Sequence, residues 1–187
     1  VSSTHVLDTL NLKPGRYILY VSRLEPENNA HLVVKAFEKT DTDMNLAIVG
    51  DAPYSKDYIA ELKSTRDPRI VFTGYVFGSG YKELQSHAFC YVHATSVGGT
   101  HPALIESMGF GNCVIVNGTP ENREVVGDGG IIFEENSAEG LCNKLNCVIS
   151  GEISVDEYRK CARRIVAEKY SWEKVTEDYE KLFQKCL

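Results

Sequence analysis

The segment best equipped for chemistry is Ser96-Val97-Gly98-Gly99-Thr100-His101-Pro102-Ala103-Leu104-Ile105-Glu106. Two adjacent glycines let a backbone turn its N–H groups toward one point, and a proline at 102 suits the first turn of a helix whose N-terminus carries positive potential. Such a turn can cradle a phosphate; the same residues also suit an ordinary tight turn capped by Thr100 or His101. Glu106 falls one turn into that helix. Helical side chains lean toward the N-terminus, so its carboxylate either reaches a ligand held there or complements the helix dipole. Arg23, in Ser22-Arg23-Leu24-Glu25-Pro26-Glu27-Asn28-Asn29, can clamp phosphate oxygens in a guanidinium fork or pair with Glu25 or Glu27. Phe72-Thr73-Gly74-Tyr75-Val76 offers amides and an aromatic face to a base, or forms a turn beside the core. His93 reads as a histidine satisfied by its neighbours rather than as a ligand. No His, Cys, Asp or Glu set has metal-ligand spacing. With no G-x-S-x-G elbow, Walker P-loop or complete G-x-G-x-x-G, hydrolase, NTPase and dinucleotide readings lack their positive signal.

These residues need a scaffold, and the chain supplies one by alternating short apolar runs with stretches of helical period. Strands are expected over Tyr17–Val21, Asn45–Val49, Arg69–Phe72, Phe89–Val92, Cys113–Val116 and Ile131–Phe133. Helices are expected over His31–Lys39, Tyr54–Ser64, Lys82–His87, Pro102–Phe110 and Glu121–Val126. Beyond Asn136 the chain reads as helical through Ala138–Ile149, Ser154–Lys169 and Trp172–Cys186, with Ser154 and Ser171 as N-caps. Right-handed crossovers make this an α/β fold, a doubly wound parallel sheet of about six strands that binds ligands beyond the carboxyl ends of its strands. Function is therefore expected in the loops Ser22–Asn29, Gly50–Tyr54, Thr73–Gly80, Ala94–His101 and Asn117–Glu121.

With 187 residues, 43% of them hydrophobic and 25% charged, the chain can close one full core. No repeat, linker or charge block divides it, so residues 1–187 are read as a single domain. Twenty Lys and Arg against 26 Asp and Glu give a net charge of −6, the wrong sign for holding a nucleic-acid backbone through the overall field. Anionic ligands must be met locally. No apolar run approaches the ~18 residues needed to cross a bilayer. The chain begins Val1-Ser2-Ser3-Thr4, without Met or the basic and apolar regions of a signal peptide, and is expected to be a piece of a longer protein. Its six cysteines form no C-x-x-C pair and several lie in apolar stretches, which suits a reducing compartment such as the cytoplasm.

Taken in order, Val21-Ser22-Arg23-Leu24-Glu25-Pro26-Glu27, Leu46-Ala47-Ile48-Val49-Gly50-Asp51-Ala52-Pro53, Val71-Phe72-Thr73-Gly74-Tyr75-Val76, Gly98 to Met108 with Gly111, Val114 and Ile115, Glu124-Val125-Val126 and Tyr170-Ser171-Trp172-Glu173 resemble a known family. The family is the retaining GT-B-fold glycosyltransferases of group 1 (family 4), and the resemblance covers nearly the whole of their carboxy-terminal, donor-binding domain. It implies a Rossmann-like domain that binds a nucleotide sugar. Arg23 would contact the donor diphosphate, the turn through Gly99, Thr100, His101 and Ala103 would bind the same phosphates, Glu106 would hold the ribose, and Gly74, Tyr75 and Val76 would border the base. The resemblance further implies transfer with retained anomeric configuration, in which Arg23 and Glu106 serve catalysis and neither a metal nor another cofactor takes part.

Three positions depart from the family pattern. Asn28 stands where the family has a lysine, Gly98 where it has the first of two paired glutamates, and Pro102 removes one amide from the phosphate turn. Glu-Pro-Glu-Asn-Asn together with Gly-Gly-Thr-His-Pro-Ala-Leu-Ile-Glu resembles a rhamnosyltransferase-like branch, whose deoxyhexose donor need not meet the absent carboxylate at Gly98. The family's saccharide or glycoconjugate acceptor binds an amino-terminal half that this chain lacks, so the chain is expected to bind donor without turnover; the full protein would act in the cytoplasm, docking on the inner membrane face. Two other readings stay open, a catalytically degenerate α/β module that binds a protein partner and a nucleotide-sugar epimerase domain of similar architecture.

Overall fold

Both faces of Tyr17-Ile18-Leu19-Tyr20-Val21 are apolar, the pattern of a strand covered on two sides. In the computed structural model, which describes residues 1–99, 101–134 and 136–186, this run is β1 (Tyr17–Val21). It lies inside a six-stranded sheet with β2 (Asn45–Val49), β3 (Ile70–Gly74), β4 (Cys90–His93), β5 (Val114–Asn117) and β6 (Gly130–Phe133), in the order β3-β2-β1-β4-β5-β6. Every pairing is parallel. This is the doubly wound, Rossmann-like order, and it reverses direction between β1 and β4.

The helices are α1 (His5–Thr9), α2 (Ala30–Glu38), α3 (Lys56–Lys63), α4 (Gly78–His87), α5 (Pro102–Phe110), α6 (Pro120–Val126), α7 (Ala138–Ile149), α8 (Val155–Lys169) and α9 (Trp172–Cys186). Strand residues alternate between the two faces. Ile18, Tyr20, Ile48, Val92 and Ile115 point into a core layer with Phe37 of α2, Leu62 of α3 and Leu141 of α7. Tyr17, Leu19, Val49, Tyr91 and Val114 point the other way, against Leu84 of α4, Met108 of α5, Val125 of α6 and Ile165 of α8. Each such fully buried side chain contributes on the order of 1.5–3 kcal/mol. Cys90, Cys113, Cys142, Cys147 and Cys161 are free thiols; the first three are buried, and desolvation pushes Cys113 up to about 12.

The structure follows the expected elements with a few corrections. Ser154 and Ser171 cap as expected, accepting from the N–H groups of Glu157 and Lys174 at 3.4 and 3.2 Å. Part of the loop expected at Thr73–Gly80 is structured: β3 runs on to Gly74, and α4 begins at Gly78 rather than Lys82. A short 3₁₀ turn at Pro26–Asn28 folds the loop after β1. Helix α1 was not expected; its five residues are held by buried Glu83 of α4, which accepts the N–H groups of Val6 and Leu7 at 2.6 and 3.1 Å. No helix among the described residues is long and apolar enough to cross a membrane.

Candidate functional site

Because β1 leads to α2 on one face and β4 to α5 on the other, the loops leaving these neighbouring strands part and open a crevice at the carboxyl edge of the sheet. The crevice is tightly laced. Ser96 donates through both its backbone N–H and its hydroxyl to the carbonyl of Glu27, each at 3.1 Å, joining the β4 loop to the β1 loop. Buried amides pin the end of β4 from beneath: Asn29 donates to the Ala94 carbonyl at 2.9 Å and Asn122 to the Thr95 carbonyl at 3.2 Å. Gly50 brings the β2 loop against the β1 loop so closely that a Cβ there would lie 1.9 Å from the Ser22 carbonyl oxygen, at a φ of +129°.

Two adjoining cavities occupy this edge. The larger, about 340 Å³, is lined by Arg23, Gly50, Tyr75, Val76, Tyr81 and Glu106 among others. The second, about 300 Å³, is lined by Asn28, His93, Thr95, Gly98 and His101, and shares Arg23 and Ala103 with the first. The tertiary structure thus brings Arg23, Tyr75, Val76, Glu106 and Ala103 to one place, and Asn28, Gly98 and His101 to the space beside it. Gly74 closes β3 with its carbonyl accepting the Gly50 N–H at 2.9 Å, and neither it nor Gly99 is in the lining of either cavity. Thr100 lies outside the described residues.

Arg23 stands at the junction with its side chain 68% exposed. Its Nη2 lies 3.3 Å from a Glu25 oxygen, and the Tyr54 hydroxyl, which donates to the other Glu25 oxygen at 2.6 Å, sits 3.5 Å from Nη1. The Tyr54 hydroxyl and then the Glu25 carboxylate raise the guanidinium pKa further, and the cation keeps its remaining donors for an anion. Arg23 is thus paired with Glu25, as one of its two readings expected, and it also lines both cavities. Glu106 is positioned by a relay absent from the sequence reading. Asn112 donates to Gln85 at 3.0 Å, Gln85 to the Tyr81 hydroxyl at 2.9 Å, and that hydroxyl to Glu106 Oε2 at 2.8 Å. Burial and then the hydrogen bond to Glu106 push the Tyr81 phenol up, so it remains a donor. At the lip, Tyr75 and Phe77 stack with centroids 5.7 Å apart, and the Tyr75 hydroxyl donates to the Asp51 carbonyl at 3.2 Å.

In the second cavity the Asn28 amide is committed to its own loop: Nδ2 donates to the Arg23 carbonyl at 2.9 Å, and Oδ1 accepts from Thr95 at 3.2 Å. It shapes the loop that carries Arg23. His101 takes the N-cap position of α5, but its side chain makes no capping hydrogen bond. The first turn of a helix leaves N–H groups without intrahelical partners, and Pro102 at the start of α5 removes one of them. His93 corrects its sequence reading: it is buried, yet its Nε2 has no hydrogen-bond partner among the described residues. Sequence reasoning passed over Tyr81 and Gln85, and it placed Gly50 and Tyr54 in a functional loop without giving either a role. Gly50 had a local signal, a glycine directly after a strand; the others meet the site only across elements.

Comparison with known proteins places this geometry in context. The family model for "Glycosyl transferases group 1" matches residues 8–165. The chain is 25% identical over 180 residues to an O-antigen chain mannosyltransferase B from Escherichia coli, spanning 91% of this chain and 46% of that protein. It is 24% identical over 161 residues to an N-acetylgalactosamine-N,N'-diacetylbacillosaminyl-diphospho-undecaprenol 4-alpha-N-acetylgalactosaminyltransferase from Campylobacter jejuni, spanning 84% of this chain and 43% of that one. Among solved structures, Anabaena Alr3699/HepE in complex with UDP-glucose superposes with a TM-score of 0.86 at 19% identity, over 97% of this chain and 52% of that one. The chain spans about half the length of these relatives. The match over most of its length carries the conclusion: the chain belongs to the glycosyl transferases group 1 family.

Proposed function

We propose that this chain is the donor-binding half of a transferase that moves a sugar from a nucleoside-diphosphate sugar to a saccharide or glycoconjugate acceptor, with retained anomeric configuration and without a metal ion. The observation that carries the reading is the pair of adjoining cavities joined at Arg23 and Ala103. The larger has apolar walls, an aromatic lip and one carboxylate, which suits a nucleoside: the base packs against Tyr75 and Val76, and the ribose hydroxyls donate to Glu106. The second has a glycine turn and a helix N-terminus beside Arg23, which suit a diphosphate, and two uncharged imidazoles beyond them on the side of the sugar. Negative charge grows on the leaving diphosphate as the glycosidic bond lengthens, and preorganised donors at Arg23 and the start of α5 stabilise it.

The UDP-glucose complex of Alr3699/HepE supports the nucleotide-sugar class. A deoxyhexose donor such as rhamnose is supported by Gly98, which places no carboxylate where a further hydroxyl would need one. The acceptor binds a second half, so the chain alone binds donor and transfers nothing. A thermal-shift series with dTDP, UDP, GDP, ADP and NAD, each in large excess and without metal, tests the reading. A ligand at ~100 times its dissociation constant stabilises the fold by about 2.7 kcal/mol, which at this size raises Tm by roughly 5 to 10 °C. One pyrimidine or guanine diphosphate is expected to give that rise and NAD none. No shift with any nucleotide, from a folded sample, overturns the reading.

A further inference from the structure

The donor reading leaves one buried atom without a role. His93, at the end of β4, is 3% exposed, and its Nε2 has no hydrogen-bond partner among the described residues. Buried polar groups are nearly always satisfied, so an imidazole nitrogen lining a cavity without a partner is a place for a ligand's hydroxyl. Two neighbouring polar side chains of this cavity are already engaged: Thr95 donates to Asn28, and Asn28 donates to the Arg23 carbonyl.

The His93 ring does not stand alone. The His101 ring lies 4.7 Å from it, tilted by 52°. His101 also occupies the space in front of Gly98: a Cβ built there would lie 3.2 Å from His101 Cε1 and 3.5 Å from Nε2, at a φ of +100° that side chains rarely adopt. A side chain at position 98 would press on this ring, which would have to give by a few tenths of an ångström. Burial lowers the pKa of both rings, His93 to about 3, so at neutral pH both are uncharged. A neutral imidazole offers one N–H donor and one acceptor nitrogen, whereas a carboxylate only accepts.

We propose that His101 and His93 together form the wall that recognises the transferred hexose, exchanging hydrogen bonds with its ring hydroxyls where a side chain at position 98 would otherwise stand. The assignment rests on the donor reading above and adds to it the residues that select the sugar. Calorimetric titration of the chain with dTDP, UDP and GDP, and then with dTDP-rhamnose, UDP-glucose and GDP-mannose, separates the two. For the diphosphate that binds, His101→Ala and His93→Phe are expected to leave its affinity within about twofold. The matching nucleotide sugar is expected to weaken about three- to tenfold, the worth of one hydrogen bond. His93→Gln, which keeps a donor and an acceptor, is expected to retain most of the sugar affinity, and its unchanged circular dichroism guards against misfolding. Folded variants that lose diphosphate and nucleotide sugar equally, or lose neither, overturn the assignment while the donor reading stands. If the unaltered chain binds no diphosphate at all, the donor reading fails and this assignment falls with it.

Discussion

Arg23 is held from one side by Glu25 and Tyr54 and open on the other, so its charge is aimed before any anion arrives. Arg23→Ala is expected to weaken a nucleoside diphosphate by at least about 1.5 kcal/mol, the lower range for hydrogen bonds to a charged group, while leaving the nucleoside unaffected. Titration of both ligands checks it, and equal losses would remove Arg23 from the phosphates. Glu106 tells a similar story through the Tyr81 hydroxyl that points its Oε2. Glu106→Ala is expected to cost about 1 to 3 kcal/mol in nucleoside diphosphate affinity with the fold intact. A 2′,3′-dideoxy analogue, lacking the ribose hydroxyls, should bind wild type and variant alike; a difference between them would argue against the ribose contact.

At the scale of elements, the site depends on how closely three loops approach. The Gly50 N–H binds the Gly74 carbonyl while its bare α-carbon lies against the Ser22 carbonyl, so the loops after β1, β2 and β3 meet at one glycine. Gly50→Ala forces the β1 and β2 loops apart and places a side chain at positive φ. The expected destabilisation is more than about 2 kcal/mol by urea unfolding, with diphosphate affinity falling because Arg23 moves with its loop. A variant of full stability and affinity would show that this approach is not needed. Helix α9 contributes differently: Trp172, Tyr179, Leu182 and Phe183 lie more than half exposed along it, and the helix packs beside α8 rather than into either core layer.

For the molecule as a whole, the buried histidine couples the site to stability. Burial holds His93 at about 3 in the folded state, against about 6.5 in an unfolded chain. Between these values the unfolded state binds more protons, so stability rises with pH across the window and is lost as pH falls from about 6.5 toward 3. Asp67, held below its ordinary range chiefly by its hydrogen bond to Arg69, adds to the same acid lability: its contribution is full above its unfolded value and lost as pH falls through the lowered one. His93→Gln removes only the first of these, leaving Arg23, Glu27 and His101 around the same cavity. Urea unfolding from pH 7.5 to 4 should show wild type losing up to about 1.4 kcal/mol per pH unit more than the variant below pH 6.5. Parallel curves would mean that His93 takes up its proton without unfolding.

The alternation of apolar runs and helical periods in the sequence was enough to determine the α/β class, the six strands, the positions of Arg23 and the Gly98–His101 turn on strand-end loops, and that of Glu106 one turn into the following helix, because strands buried on both faces and helix starts carry local signatures. Helix α1 had none: its five residues are too few to form a helix by propensity, and the carboxylate that holds them, Glu83, lies more than seventy residues away in the chain. The same reason hid the relay from Asn112 to Glu106 and the burial of His93, whose Nε2 has no partner among the described residues. Each depends on which strand lies beside which. Only the order β3-β2-β1-β4-β5-β6 set the β4 loop against the β1 loop, because the burial of apolar faces by packing, rather than any local pattern, decides which distant residues meet.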